Sequence, residues 1–135
     1  MDLAEQYRNY IDCLNARRWQ ALGNFVDDSV QYNGEPVGLA GYRAMLENDV
    51  RTIADLRFTI DLLVVEPPNV AARLLFDCSP RGRFLGLETD GRRIRFSENV
   101  FYTFVGGKIV RVWSVIDKAA VEAALQRESP SGEGL

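Results

Sequence analysis

The chain has 135 residues, 47% of them apolar, which is enough for one domain with a sizeable core and leaves no room for a second. Its formal charge of -3 argues against a nucleic-acid binder, which needs a basic face. It contains no histidine, so Ser-His-Asp and Cys-His mechanisms are excluded, and with two distant cysteines as the only soft ligands a metal site is not expected.

The opening residues MDLAEQYRNY are amphipathic and lack the apolar core of a secretion signal. No apolar run is long enough to span a membrane, so the expected compartment is the cytoplasm, with Cys13 and Cys78 as reduced, packed thiols. Leu3, Tyr7, Tyr10, Ile11 and Leu14 recur at helical spacing and predict a helix over 2–16. Trp19, Leu22, Phe25 and Val26 suggest a short helix over 18–26, Val30 to Tyr32 a brief strand, and Asn33-Gly34 a turn. Ala40, Tyr42, Met45, Leu46, Val50 and Ile53 place a third helix at about 40–54.

Strands follow. Residues 57–65 place Phe58, Ile60, Leu62 and Val64 on one side, and Pro67-Pro68 ends the ladder because proline lacks an N–H donor. Val70 to Cys78 is the next strand, broken by Ser79-Pro80-Arg81-Gly82. Arg81, Arg83, Arg92, Arg93 and Arg95 cluster around Glu88 and Asp90, as at a solvated hairpin tip. A long strand, about Arg92 to Val105, leads through Gly106-Gly107 into Ile109 to Ile116. A last helix starts at Asp117 and runs to about Arg127. Residues 1–127 thus form a single domain, and 128–135 read as a frayed Gly/Ser/Pro-rich tail. Helices followed by a run of antiparallel strands indicate an α+β fold, a curved sheet wrapped around the N-terminal helices with a hollow between them.

The long strand alternates. Ile94, Phe96, Glu98, Val100, Tyr102 and Phe104 share one face, and Glu98 is the carboxylate in this apolar row. Burying a carboxylate is costly unless it is paired, protonated or beside a wet cavity. Glu98 therefore either lines a cavity as a general base or pairs with an arginine such as Arg73 or Arg95. In the last strand Val110, Val112, Ser114 and Ile116 share one face, and Arg111, Trp113, Val115 and Asp117 the other. Asp117 reads as an acid/base or as the N-cap of the closing helix. Tyr10 reads as a hydrogen-bond donor to substrate or as core. Tyr32, Tyr42, Phe96 and Phe104 would make an apolar wall for a flat ligand, Asn33 could orient it, and Trp113 belongs to the pocket or to a subunit interface.

Three stretches resemble known proteins. GRFLGLETDGRRIRF is similar to the GxFLGxxxTGxxVxF segment of SnoaL-like polyketide cyclases and related ester cyclases, and GGKIVRVWSVID to their DGKIxExWxxxD ending. YIDCLNARRWQALGNFVDDSVQYNG resembles the opening of the wider nuclear-transport-factor-2-like superfamily, which includes ketosteroid isomerases. The resemblance implies a cone-shaped α+β barrel, a deep apolar pocket and a homodimer, formed through an outer sheet face that carries Phe101 and Trp113.

Carried over residue by residue, Tyr10 matches the oxyanion-holding tyrosine of the isomerases. Asn33 stands where they have the Asp base, and Val100 near their second acid. The histidine of the cyclases is replaced within Cys78-Ser79-Pro80-Arg81. Asp117 matches their Asp acid/base, and Ser114 occupies the place after Trp113 where some relatives carry an Asp. The expected function is a cofactor-independent cyclase or isomerase acting on a small apolar carbonyl compound. Its catalytic candidates are Asp117, Glu98 and Tyr10, with Asn33, Tyr32, Phe96, Phe104, Trp113 and Ser114 around the ligand. The alternative is a non-catalytic binding or interaction module of the same fold.

Overall fold

The computed structural model describes residues 2–127, and the expected frayed tail, 128–135, lies outside the described residues. Helix α1 (Leu3–Asn15) begins where the Asp2 carboxylate accepts the Glu5 N–H at 2.8 Å. It buries the stripe Tyr7, Tyr10, Ile11 and Leu14. Its end is tied to the sheet by Asn15, whose side chain accepts the Phe58 N–H at 2.7 Å and donates to the Phe58 carbonyl at 2.9 Å.

The expected second helix is shorter than its apolar spacing suggested. A single 3₁₀ stretch, Trp19–Asn24, gives way at Val26 to strand β1 (Val26–Tyr32). β1 runs parallel to the last strand, with Val26 opposite Ile109 and Tyr32 opposite Val112. Its partner lies some eighty residues away, and that pairing overrides the local helical spacing. Helix α2 (Gly38–Thr52) lies against β1 and buries Tyr42 and Leu46.

Strands β2 (Thr59–Glu66), β3 (Asn69–Cys78), β6 (Ile94–Val105) and β7 (Lys108–Ile116) form antiparallel neighbours in a five-stranded sheet of order β1-β7-β6-β3-β2. The curved sheet wraps helices α1 and α2. β4 (Arg81–Phe84) and β5 (Leu87–Asp90) make a separate two-stranded hairpin that carries the arginine-rich tip. Helix α3 (Lys118–Gln126) closes the chain against β6.

Strand β2 departs from the expected alternation. Ile60 pairs with Leu74 and Leu62 with Arg73, so Asp61 is an extra residue in the ladder. One inserted residue exchanges the faces of everything beyond it. Phe58 and Ile60 point to the core, but Leu62 and Val64 emerge on the outer face, 57% and 54% exposed. Among the described residues no helix is long and apolar enough to cross a membrane.

Candidate functional site

The concave side of the sheet and the two long helices enclose a cavity of about 80 Å³. Strand alternation on β6 delivers Phe96, Glu98, Val100 and Tyr102 to it, and β7 delivers Val112 and Ile116. α1 contributes Tyr10 and Leu14; α2 contributes Tyr42, Met45, Leu46 and Asp49. Phe76 stacks on Phe96 with centroids 5.0 Å apart, and Phe58 and Phe84 extend this aromatic wall. No Lys or Arg is among the lining residues.

Glu98 faces the cavity, not an arginine. Arg73 is paired with Asp61 and Arg95 with Asp77, both on the exposed side. The register places Glu98 opposite Ile116 and Val100 opposite Ser114, so Glu98 and Ser114 are diagonal neighbours on the inner face. The Ser114 hydroxyl donates a short hydrogen bond to Glu98 Oε2. Burial raises the Glu98 carboxyl above its ordinary range, Ser114 offsets part of that, and the charge of Asp49 adds to the rise.

Asp49 is the residue that the sequence reading missed. It lies seven positions after Tyr42, four after Met45 and three after Leu46, on the stripe that turns α2 toward the sheet. A carboxylate in a helical apolar row carries the same signal as Glu98 in a strand row. Its side chain makes no hydrogen bond or ion pair to another of the described residues, and burial pushes it up to about 6.

Phenols supply the rest of the polar lining. Tyr10 and Tyr42 share a hydrogen bond of 2.6 Å between hydroxyls. Behind them the Tyr7 hydroxyl donates to that of Tyr102 at 3.1 Å. Burial drives all four phenols above their ordinary range, so they stay protonated, as neutral hydrogen-bonding groups. Tyr32 also lines the cavity, raised by burial and lowered in part by the Ser114 side chain.

Five expected site residues stand outside this lining, Ser114 among them, which reaches the site only through its hydrogen bond to Glu98. Asp117 is exposed and accepts the Ala120 N–H at 3.1 Å as the N-cap of α3. It shares the outward parity of Trp113 and borders a separate hollow with Arg57, Arg73, Arg93 and Arg95. Asn33, in a left-handed conformation with φ 48°, spends its amide on backbone. It accepts the Ser114 N–H at 2.8 Å and donates to the Ser114 carbonyl at 3.3 Å. This extends the β1–β7 pairing by one residue and fixes the strand that carries Ser114. Trp113 lies on the outer face, 46% exposed, beside Gly34. Phe104 is buried core at the far end of β6.

Among the described residues no three His, Cys, Asp or Glu side chains gather as a metal-ligand set. The polar side chains that line the enclosure are carboxyl groups and phenols.

Residues 4–125 match the family model of the SnoaL-like polyketide cyclases. The fold is similar to that of a SnoaL-like polyketide cyclase from Agrobacterium tumefaciens, at 50% identity and a TM-score of 0.91, over 93% of this chain and 98% of that one. TsrD from Streptomyces laurentii shares the fold at 23% identity and a TM-score of 0.81, over 93% of this chain and 98% of its own. IdmH from Streptomyces antibioticus does so at 16% identity and 0.80, over 92% and 98%. No curated protein is significantly similar to the chain. With the match spanning nearly all of the three α-helices and the whole sheet, the chain belongs to the SnoaL-like polyketide cyclase family.

Proposed function

We propose that the protein is a cofactor-independent enzyme of cyclase or isomerase type that moves a proton beside the carbonyl group of a small, mostly apolar compound. The observation that carries this reading is Glu98, a carboxyl on the sheet's inner face that opens onto an apolar cavity and is held by a serine hydroxyl. Burial raises a carboxyl so placed, which makes it a stronger proton acceptor than an ordinary carboxylate. The hydroxyl pair of Tyr10 and Tyr42 offers a proton donor toward a developing oxyanion, and the aromatic wall excludes water. Membership of a cyclase family supports ring closure as the outcome, since an enolate formed in the enclosure can attack a second carbonyl of the same molecule.

The test is deuterium exchange at the carbon next to the carbonyl of one-ring ketones such as acetophenone and cyclohexanone, followed by NMR in heavy water. Wild-type protein is predicted to catalyse the exchange, and Glu98→Gln to lose roughly tenfold or more while still binding the probe. Tight binding of the probes with no exchange by the wild type would instead establish a binding module.

The same reading includes a homodimer. Register aligns Val64, Ala71, Phe101 and Trp113 as one row across β2, β3, β6 and β7 on the outer face. Phe101 is 58% exposed there, and Leu62 and Val115 border the row. An apolar band of this kind on a sheet suits burial against a second copy of itself.

A further inference from the structure

We infer that Asp49 is a second catalytic residue, the base that removes the proton from carbon, and that Glu98 is the acid that protonates the carbonyl oxygen. This rests on the proton-transfer reading above and divides its labour between two walls of one cavity. Asp49 reaches in from α2 and Glu98 from β6, so a flat ligand lying between helix and sheet meets one carboxyl group on each side.

Their surroundings differ in a way that suits the two roles. Asp49 makes no hydrogen bond or ion pair to the other described residues, which leaves its oxygens for a ligand. Glu98 is already engaged by Ser114, whose backbone is clamped by Asn33. The groups that share the cavity with both carboxyls are Tyr10, Tyr32, Tyr42 and Tyr102, with Tyr7 behind Tyr102, and no cation is among them. Two like charges in one uncompensated enclosure do not both form readily, so one proton stays on the pair. Both carboxyls are raised by burial, and at Glu98 the Asp49 charge adds to the rise while the Ser114 hydroxyl offsets part of it. Asp49, whose oxygens no other described residue engages, is the member open to the ligand and takes the role of base, which leaves the proton of the pair to Glu98 as the acid.

The step balances without a co-reactant. The Asp49 carboxylate takes the proton from the carbon beside the carbonyl, and the C–H electron pair becomes the new C=C bond. The carbonyl π pair moves to oxygen, which takes the Glu98 proton. The enol then either attacks a second carbonyl within the same molecule, whose oxygen receives the proton from Asp49, or, where it is conjugated, takes that proton from Asp49 at another carbon. In both cases Glu98 recovers its proton from the enol hydroxyl as the carbonyl re-forms. With acidic groups and no basic side chain in the lining, the ligand class is a neutral carbonyl compound, not a carboxylate or phosphate ester.

The pH profile of acetophenone exchange tests the assignment. Wild-type exchange is predicted to rise with pH through about 6, as Asp49 ionises, and to fall at higher pH as Glu98 loses its proton. Asp49→Asn is predicted to lose roughly 100-fold or more in exchange and to lose the acid-side rise, with probe binding within about twofold of wild type. Asp49→Glu, which keeps a carboxyl, should recover part of the rate and the acid-side rise. Glu98→Gln should keep the rise and lose the alkaline fall. Wild-type exchange and an unchanged pH rise in a folded Asp49→Asn protein would overturn the role of Asp49 while leaving that of Glu98. Absence of exchange by the wild type would overturn both.

Discussion

Asp49 shows how one residue joins chemistry to stability. Its folded carboxyl is pushed from an ordinary 3.8 up to about 6, so the native state holds this proton more tightly than the unfolded chain does. The associated stabilisation is complete at low pH and is lost as pH rises from about 4 through about 6. Removing the charge should therefore strengthen the fold where the wild type pays for ionisation. Asp49→Asn is predicted to gain roughly 1–3 kcal/mol over the wild type at neutral pH and little below pH ~4, since each tenfold difference in proton affinity between folded and unfolded chain corresponds to about 1.4 kcal/mol. Urea unfolding at both pH values measures this, and a gap that does not change with pH would contradict it. Glu98 was legible in the sequence because strand alternation exposes a misplaced charge at once. Asp49 obeys the same logic at helical period, where the apolar row is less regular and a lone carboxylate is easily taken for the solvent face.

At the scale of elements, the local periodicities of α1 and β6 survive folding because each has a single buried face, whereas in β7 the expected row holds from Val112 to Ile116 and breaks at Val110, an extra residue in the ladder that turns Ile109 into the core. Where they failed, a long-range event intervened. β1 is a strand because of a parallel partner near the other end of the chain, and Asp61 reverses the faces of β2 by inserting itself into the ladder. Two asparagines join elements that hydrogen bonding within one element would leave open. Asn15 ties α1 to the start of β2, and Asn33 ties the end of β1 to Ser114. An asparagine amide reproduces the donor and acceptor of a peptide group, which is why it can continue a ladder. No local pattern marks Asn33 for that role, since Asn-Gly reads first as a turn. Asp117, in turn, owes its place to the helix that it starts. Asp117→Ala is predicted to cost about 1 kcal/mol of stability through the lost cap and to leave ketone exchange at the wild-type rate. A large loss of exchange in that variant, with the fold intact, would return Asp117 to the catalytic site.

For the whole molecule, the α+β class and the family were legible from ordered motifs that run almost from end to end. What lines the cavity was only partly so, because a cavity is assembled from α1, α2 and five strands that have no common sequence signature. The outer face was foreshadowed by Phe101 and Trp113, but its extent depended on the β2 bulge, which brings Leu62 and Val64 to the surface. Sedimentation at micromolar concentration is predicted to show a dimer for the wild type and a monomer for Phe101→Asp, which sets a charge in the middle of the row. A monomeric wild type would contradict the proposed interface. The central claim is that this enclosure raises the Glu98 carboxyl above its ordinary range. The pH dependence of the infrared difference spectrum between wild type and Glu98→Gln measures it directly. The account predicts a protonated carboxylic-acid carbonyl band, absent from the variant, that persists to higher pH than that of an ordinary glutamate, whereas a band lost over the ordinary glutamate range would contradict it.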